Sequence, residues 1–249
     1  MPEYKRPSSL KKTSSGFCPG CLHSLATKLI ADVIDEMDQR ENSIHVIPVG
    51  CSTLNLAYWE GDFIGAAHGR APAVATGIKR TNPDRLVFAY QGDGDCAAIG
   101  LSEIMNAANR GENFTVIFFN NQTYGMTGGQ MAPTTLIGQK TTTSIYGRDP
   151  ETAGYPLKMC ELLATLEAPV FIARYALNTP KGAIEARKAI KKAFEIQMTK
   201  KGFCFIELLG NCPTNWGLTP LQTLDYMETN TIPYFVPGVY KDKYKDEVK

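Results

Sequence analysis

No long apolar run interrupts this chain. None of its 249 residues lies in a stretch long enough to span a membrane, and the polar, basic opening over 1–15 lacks the hydrophobic centre of an export signal. The expectation is a cytoplasmic protein that no membrane holds. Charge of one sign is lacking as well: 26 Lys and Arg stand against 25 Asp and Glu, a net of +1, with no basic stripe interleaved with aromatics. That excludes nucleic acid, which is bound through concentrated positive charge. No Pro-, Gly- or Ser-rich linker and no internal repeat divides the sequence, and 43% apolar and 20% charged residues suit one core. A disulfide framework is missing too, because seven cysteines without an export signal fit reduced thiols or metal ligands better.

What is present is alternation. Short strands, apolar on both faces, are expected at 44–49, 86–90, 114–119, 170–175 and 203–209, with helices at 24–39, 71–79, 96–110, 157–166 and 180–199. Thr179 caps the last of these helices and Pro180 takes its first position. Strands alternating with helices predict an α/β fold, a doubly wound, mostly parallel sheet with helices on both faces. We place a basic arm at 1–15, the main domain at 16–218 and an extension at 219–249. The charged end of that extension, 241–249, reads as a solvated tail, or else the extension forms part of a subunit interface. Residues 123–156, rich in Gly, Thr and Pro, are too long for an idle connection and read as a functional loop.

The most informative stretch runs from Gly92 to Asn121. One strand ends in Gly92-Asp93-Gly94 and the next in Asn120-Asn121, so Asp93 and Asn121 emerge at carboxyl ends of neighbouring strands, where open parallel sheets bind ligands. Glycines allow close approach to a phosphate, and the helix starting near Asp95 offers free N–H groups. Asp93 opposes an anion unless a cation lies between them, and Mg²⁺ would accept its carboxylate together with the Asn121 amide oxygen. Two other readings compete. Gly92 to Ala97 fits a loose dinucleotide fingerprint with Glu112 as the ribose contact, but Glu112 precedes the second strand instead of ending it. An ordinary strand–turn–helix would explain the glycines without explaining Asn120-Asn121.

Gly92-Asp93-Gly94 and Asn121-Gln122-Thr123-Tyr124-Gly125-Met126-Thr127-Gly128-Gly129-Gln130 resemble the thiamine-diphosphate-binding (beta-type) subunit of the 2-oxoacid:ferredoxin oxidoreductases, over about 15–216. The resemblance implies Mg²⁺ on Asp93, Asn121 and the Thr123 carbonyl. It implies cofactor contacts from Cys51, Ser52, His68, Gly92, Asp93, Gly94, Asp95, Asn121, Thr123, Tyr124, Gly125, Met126 and Thr127. His68, in His68-Gly69-Arg70, reads as structural without it.

By residue type, Cys18-Pro19-Gly20-Cys21 fits zinc, a redox dithiol or iron–sulfur alike, and nothing ties Cys51 or Cys212 to it. The resemblance selects one [4Fe–4S] cluster on Cys18, Cys21, Cys51 and Cys212. Cys96, Cys160 and Cys204 read as core residues. Leu22 stands where the family often has glycine, leaving the ligand spacing unchanged, and His23 reads as facing the helix start, with a place close to the cluster as the other reading and no sign of a ligand role.

The activity implied is oxidative decarboxylation of a 2-oxoacid with coenzyme A to an acyl-CoA, CO₂ and reduced ferredoxin. The loop at 124–129 is closest to members acting on branched-chain 2-oxoacids such as 3-methyl-2-oxobutanoate, or on 2-oxoglutarate. The activating glutamate is expected from a pyrimidine-binding (alpha-type) partner subunit, with Glu60 as an internal candidate that reads better as a surface carboxylate. A small ferredoxin-like subunit and a gamma-type subunit are further expected partners, and an oxygen-sensitive cluster suits an anaerobe. The alternatives are a non-oxidative thiamine-dependent decarboxylase or synthase, and a zinc-bearing interaction module without catalysis.

Overall fold

The computed structural model describes residues 5–245. Its strands are β1 (Ser43–Ile47), β2 (Asp62–Gly65), β3 (Leu86–Gly92), β4 (Thr115–Asn120), β5 (Thr123–Tyr124), β6 (Gln130–Met131), β7 (Phe171–Ala176), β8 (Cys204–Leu209) and β9 (Gly238–Asp242). Seven of them form one sheet in the order β2-β1-β3-β4-β8-β7-β9. All its pairings are parallel except that of β9 with β7.

The central strands alternate their side chains between two apolar layers. Phe88, Tyr90, Ile117, Phe119, Ile206 and Leu208 face the helices His23–Glu36 and Pro180–Met198. Val87, Ala89, Val116, Phe118 and Phe205 face Ala71–Thr81, Leu101–Asn109 and Met159–Ala164. Burial on both faces explains why these strands read as continuous apolar runs. The Thr179 side chain accepts from the Gly182 N–H, as its capping position predicts. No helix among the described residues is long and apolar enough to cross a membrane.

Three expectations need correction. The predicted helix 96–110 begins instead with a wide turn, Asp95–Ile99, in which the Gly100 N–H reaches back to the Asp95 carbonyl at 2.8 Å. The segment read as an arm, 1–15, docks from residue 7 onward: Leu10 is buried and bridges Trp59. The extension, whose end at 241–249 reads as a solvated tail, packs on the core over most of its described length, and its strand reaches into that end. Pro220–Tyr226 forms a capped helix, Met227 and Phe235 are buried, and Lys241 and Asp242 lie in β9. Residues 246–249 of that end lie outside the described residues.

Candidate functional site

The sheet order brings four adjacent strands, β1, β3, β4 and β8, to one edge. Cys51 follows β1, Asp93 follows β3, Asn121 follows β4 and Cys212 follows β8, so distant sequence positions converge at the carboxyl ends. One cavity there is lined by Cys51, His68, Gly92, Asp93, Gly94, Asp95, Asn121, Thr123, Tyr124, Gly125, Met126 and Thr127. Of the residues expected around a cofactor, Ser52 alone is not in this wall; its hydroxyl is buried without a hydrogen-bond partner among the described residues.

Asp93 is 2% exposed and burial pushes its carboxyl up from 3.8 to about 6, against hydrogen bonds from the Thr134 hydroxyl (2.6 Å) and the Gly94 N–H (2.8 Å). Among the described residues no Lys or Arg side chain pairs with that carboxylate, so its charge is opposed by burial alone. Asn121 and Thr123 share its cavity because Gln122 between them takes the left-handed conformation, φ 58°. For a non-glycine residue that geometry is held by its surroundings. The Gln122 carbonyl accepts from the Thr135 hydroxyl at 2.6 Å, and its side-chain oxygen accepts from the Thr231 hydroxyl at 3.2 Å. Oxygen donors around a buried carboxylate suit Mg²⁺. Above Gly92 an added Cβ would meet open space, whereas at Gly94 it would lie 2.1 Å from the Tyr124 ring. The glycine turn is therefore open on one side and packed under an aromatic ring on the other.

Residues 123–156 owe their order to Arg148, which sequence reading missed. Its guanidinium donates to the main-chain carbonyls of Ala132, Pro133, Thr135, Ala153, Gly154 and Tyr155. It thereby fastens the segment bearing Thr134 and Thr135 to the far end of the loop. No periodic pattern announces such a tie, since its acceptors are backbone atoms of any residue type.

The four thiols expected to act together do converge. Burial first, then the proximity of Cys212, Cys51 and Cys18, pushes the Cys21 thiol up to about 12. Burial and the same kind of proximity push Cys51 up to about 12 and raise Cys212. Cys18 is exposed. Among the described residues, no three His, Cys, Asp or Glu side chains group as around a single ion. Cys96, Cys160 and Cys204 are buried core thiols, as expected.

His68 Nδ1 lies 2.5 Å from Asp95 Oδ1, and Asp95 also accepts from the Gly69 N–H and from Gln91 Nε2. His23 does not merely face the helix start. It is 2% exposed, stacks on Phe119 with ring centroids 3.7 Å apart, bonds the Tyr90 hydroxyl at 2.6 Å and reaches the cavity wall. Burial lowers its pKa to about 3, so the ring is neutral. Glu60 is not in the wall, and Glu112 pairs with Arg80 and Arg110, which removes it as a ribose contact.

Residues 48–208 match the model of the C-terminal TPP-binding domain of thiamine pyrophosphate enzymes. Over 212 residues, 85% of this chain, the sequence is 52% identical to ketoisovalerate oxidoreductase subunit VorA of Methanothermobacter thermautotrophicus, of which the match covers 44%. The chain thus spans under half the length of that relative. It is 36% identical over 222 residues to 2-oxoglutarate synthase subunit KorB of Methanocaldococcus jannaschii, covering 87% of this chain and 78% of the relative. In structure it is similar to a chain of the 2-oxoglutarate:ferredoxin oxidoreductase from Magnetococcus marinus, solved with 2-oxoglutarate, coenzyme A and succinyl-CoA bound. The TM-score is 0.80 at 25% identity, over 97% of this chain and 86% of that one.

Proposed function

The chain belongs to the thiamine-diphosphate-binding subunits of the 2-oxoacid:ferredoxin oxidoreductases, and from that premise we propose that it holds the reacting half of such an enzyme. In this reading it binds thiamine diphosphate through Mg²⁺ and carries one [4Fe–4S] cluster on Cys18, Cys21, Cys51 and Cys212. With a pyrimidine-binding subunit it converts a 2-oxoacid and coenzyme A to an acyl-CoA and CO₂ while reducing ferredoxin. The observation that carries the reading is the convergence of Cys51, Asp93, Asn121 and Cys212 at the ends of adjacent strands. A non-oxidative thiamine enzyme would have no use for the thiols. A zinc module would have none for Asp93.

When bound, thiamine diphosphate supplies the electron sink for decarboxylation. The chain's own residues do the rest. The Asp93 carboxylate, the Asn121 amide oxygen and the Thr123 carbonyl hold the metal, and the turn at Gly92 admits the diphosphate. Asp95 orients His68 through its Nδ1. Thiolates of the four cysteines hold the cluster after releasing their protons. Val49 and Met126, 43% and 46% exposed, leave apolar surface in the cavity wall, which suits closure by a partner that supplies the activating glutamate.

The substrate class follows the relatives' names: ketoisovalerate, which is 3-methyl-2-oxobutanoate, at 52% identity, and 2-oxoglutarate at 36%. The test is acyl-CoA formation and ferredoxin reduction by the purified complex with 3-methyl-2-oxobutanoate, 2-oxoglutarate and pyruvate. The branched-chain acid is expected to react fastest. An aldehyde product without ferredoxin reduction would overturn the assignment.

A further inference from the structure

Asn215 lies in the short helix Pro213–Trp216, directly after Cys212. Its side-chain nitrogen donates to the Gly125 carbonyl at 2.9 Å and lies 3.2 Å from Cys212 Sγ. The orientation of the amide is fixed by chemistry: a main-chain carbonyl only accepts, so the nitrogen must face Gly125, and its second hydrogen is available to the sulfur. Gly125 itself presses on the thiols. A Cβ added there would sit 3.1 Å from Cys51 Sγ and 3.6 Å from Cys212 Sγ. The neighbouring Trp216 donates its indole N–H to the Asn121 carbonyl at 3.2 Å. One short helix therefore touches a thiol, the cavity loop and the strand end bearing Asn121.

We propose that Asn215 is a positioning residue that sets the reduction potential of the metal cluster by donating an N–H bond to the Cys212 sulfur. The proposal rests on the reading of Cys18, Cys21, Cys51 and Cys212 as ligands of one [4Fe–4S] cluster. Reduction places one added electron on the cluster, given up in the enzyme by the substrate as it is oxidised and in the test by dithionite. No bond to sulfur breaks. The extra negative charge spreads onto the ligand sulfurs, so an N–H dipole aimed at one of them stabilises the reduced form more than the oxidised form and raises the potential. Because the same nitrogen is anchored by the Gly125 carbonyl, the bond is held in place by the cavity loop.

The experiment is an EPR-monitored redox titration of the anaerobically purified complex, with iron measured on each sample. Asn215→Leu removes the donor and is expected to shift the midpoint to a more negative value at unchanged iron content. Asn215→Asp, of the same size, removes the donor and adds charge, and is expected to shift it further. The backbone N–H groups of His23, Met126 and Asn215 also face ligand sulfurs, so the side-chain bond is read in wild-type complex carrying ¹⁵N in its asparagine side-chain amides: a ¹⁵N coupled to the reduced cluster is expected, and the coupling disappears in Asn215→Leu. An iron-loaded Asn215→Leu complex with the wild-type midpoint overturns the proposal. If neither variant retains iron, a wild-type cluster without that ¹⁵N coupling overturns it. Wild-type complex with no iron–sulfur signal overturns instead the reading of the four cysteines.

Discussion

The Thr134 hydroxyl donates to Asp93 Oδ2 at 2.6 Å, joining the glycine turn to a loop that is 41 residues further along the chain. Both side chains are buried. Removing a partner that orients a metal-binding carboxylate typically costs 10–100-fold in metal affinity. Thr134→Val, which keeps the shape and loses the donor, is expected to weaken Mg²⁺-dependent thiamine diphosphate binding by about that factor. Thr134→Ser restores it. Cofactor titration of the assembled complex, followed by calorimetry, reads the difference.

Arg148 has no carboxylate partner among the described residues, and its donors end on backbone carbonyls at both ends of the loop. Arg148→Lys keeps the charge but cannot reproduce the planar fork. Its loss is expected to cost about 2–3 kcal/mol of stability and to loosen the segment bearing the exposed Tyr146 and Tyr155. Chymotrypsin should then cleave after those tyrosines in the variant at a rate at which the wild type remains intact.

Burial raises the Asp93 carboxyl from 3.8 to about 6. A group whose pKa is raised on folding contributes stability that is full below 3.8 and is lost as the pH climbs through about 6. Above that pH the buried carboxylate is ionised and a divalent cation relieves it; below it, protons compete with the metal. Mg²⁺ should therefore raise the melting temperature of the cofactor-free protein more above about pH 6 than below it, and apparent Mg²⁺ affinity should fall on acidification. Asp93→Asn should abolish both trends.

His45, in β1, is stacked on Phe88 with both ring nitrogens buried and, among the described residues, without hydrogen-bond partners. Burial lowers its pKa from 6.5 to about 3. The unfolded chain takes up a proton in that window and the folded chain does not, so stability is full above 6.5 and is lost as the pH falls toward 3. His45→Leu, similar in volume, is expected to stabilise the protein by about 1 kcal/mol at neutral pH, with a larger gain below 6.5. Urea unfolding across that range measures it.

The unit from Gly92 to Asn121 was legible because strand, glycine turn, helix and strand follow one another in sequence, each with its own apolar period. Its convergence with Cys51 and Cys212 came from the family resemblance and from no local pattern, because it depends on β8 inserting beside β4 in the sheet order. β9 escaped notice since Gly238 to Asp242 pairs at the sheet edge with a polar, half-exposed composition. Thr134, Arg148 and Thr231 act through backbone atoms or single hydroxyls, which leave no spacing signature. His23 looked like a helix-start residue because its burial comes from Phe17 and Phe119, one beside it and one far away in sequence.

In the proposed enzyme Asp93 and Asn121 hold a magnesium-bound diphosphate on this chain. The decisive measurement is of Mg²⁺ and thiamine diphosphate bound to the anaerobically purified complex carrying Asp93→Ala or Asn121→Ala. Either substitution is expected to remove both ligands while the complex remains assembled; a variant complex that binds them at wild-type levels would contradict the proposed role of these two residues.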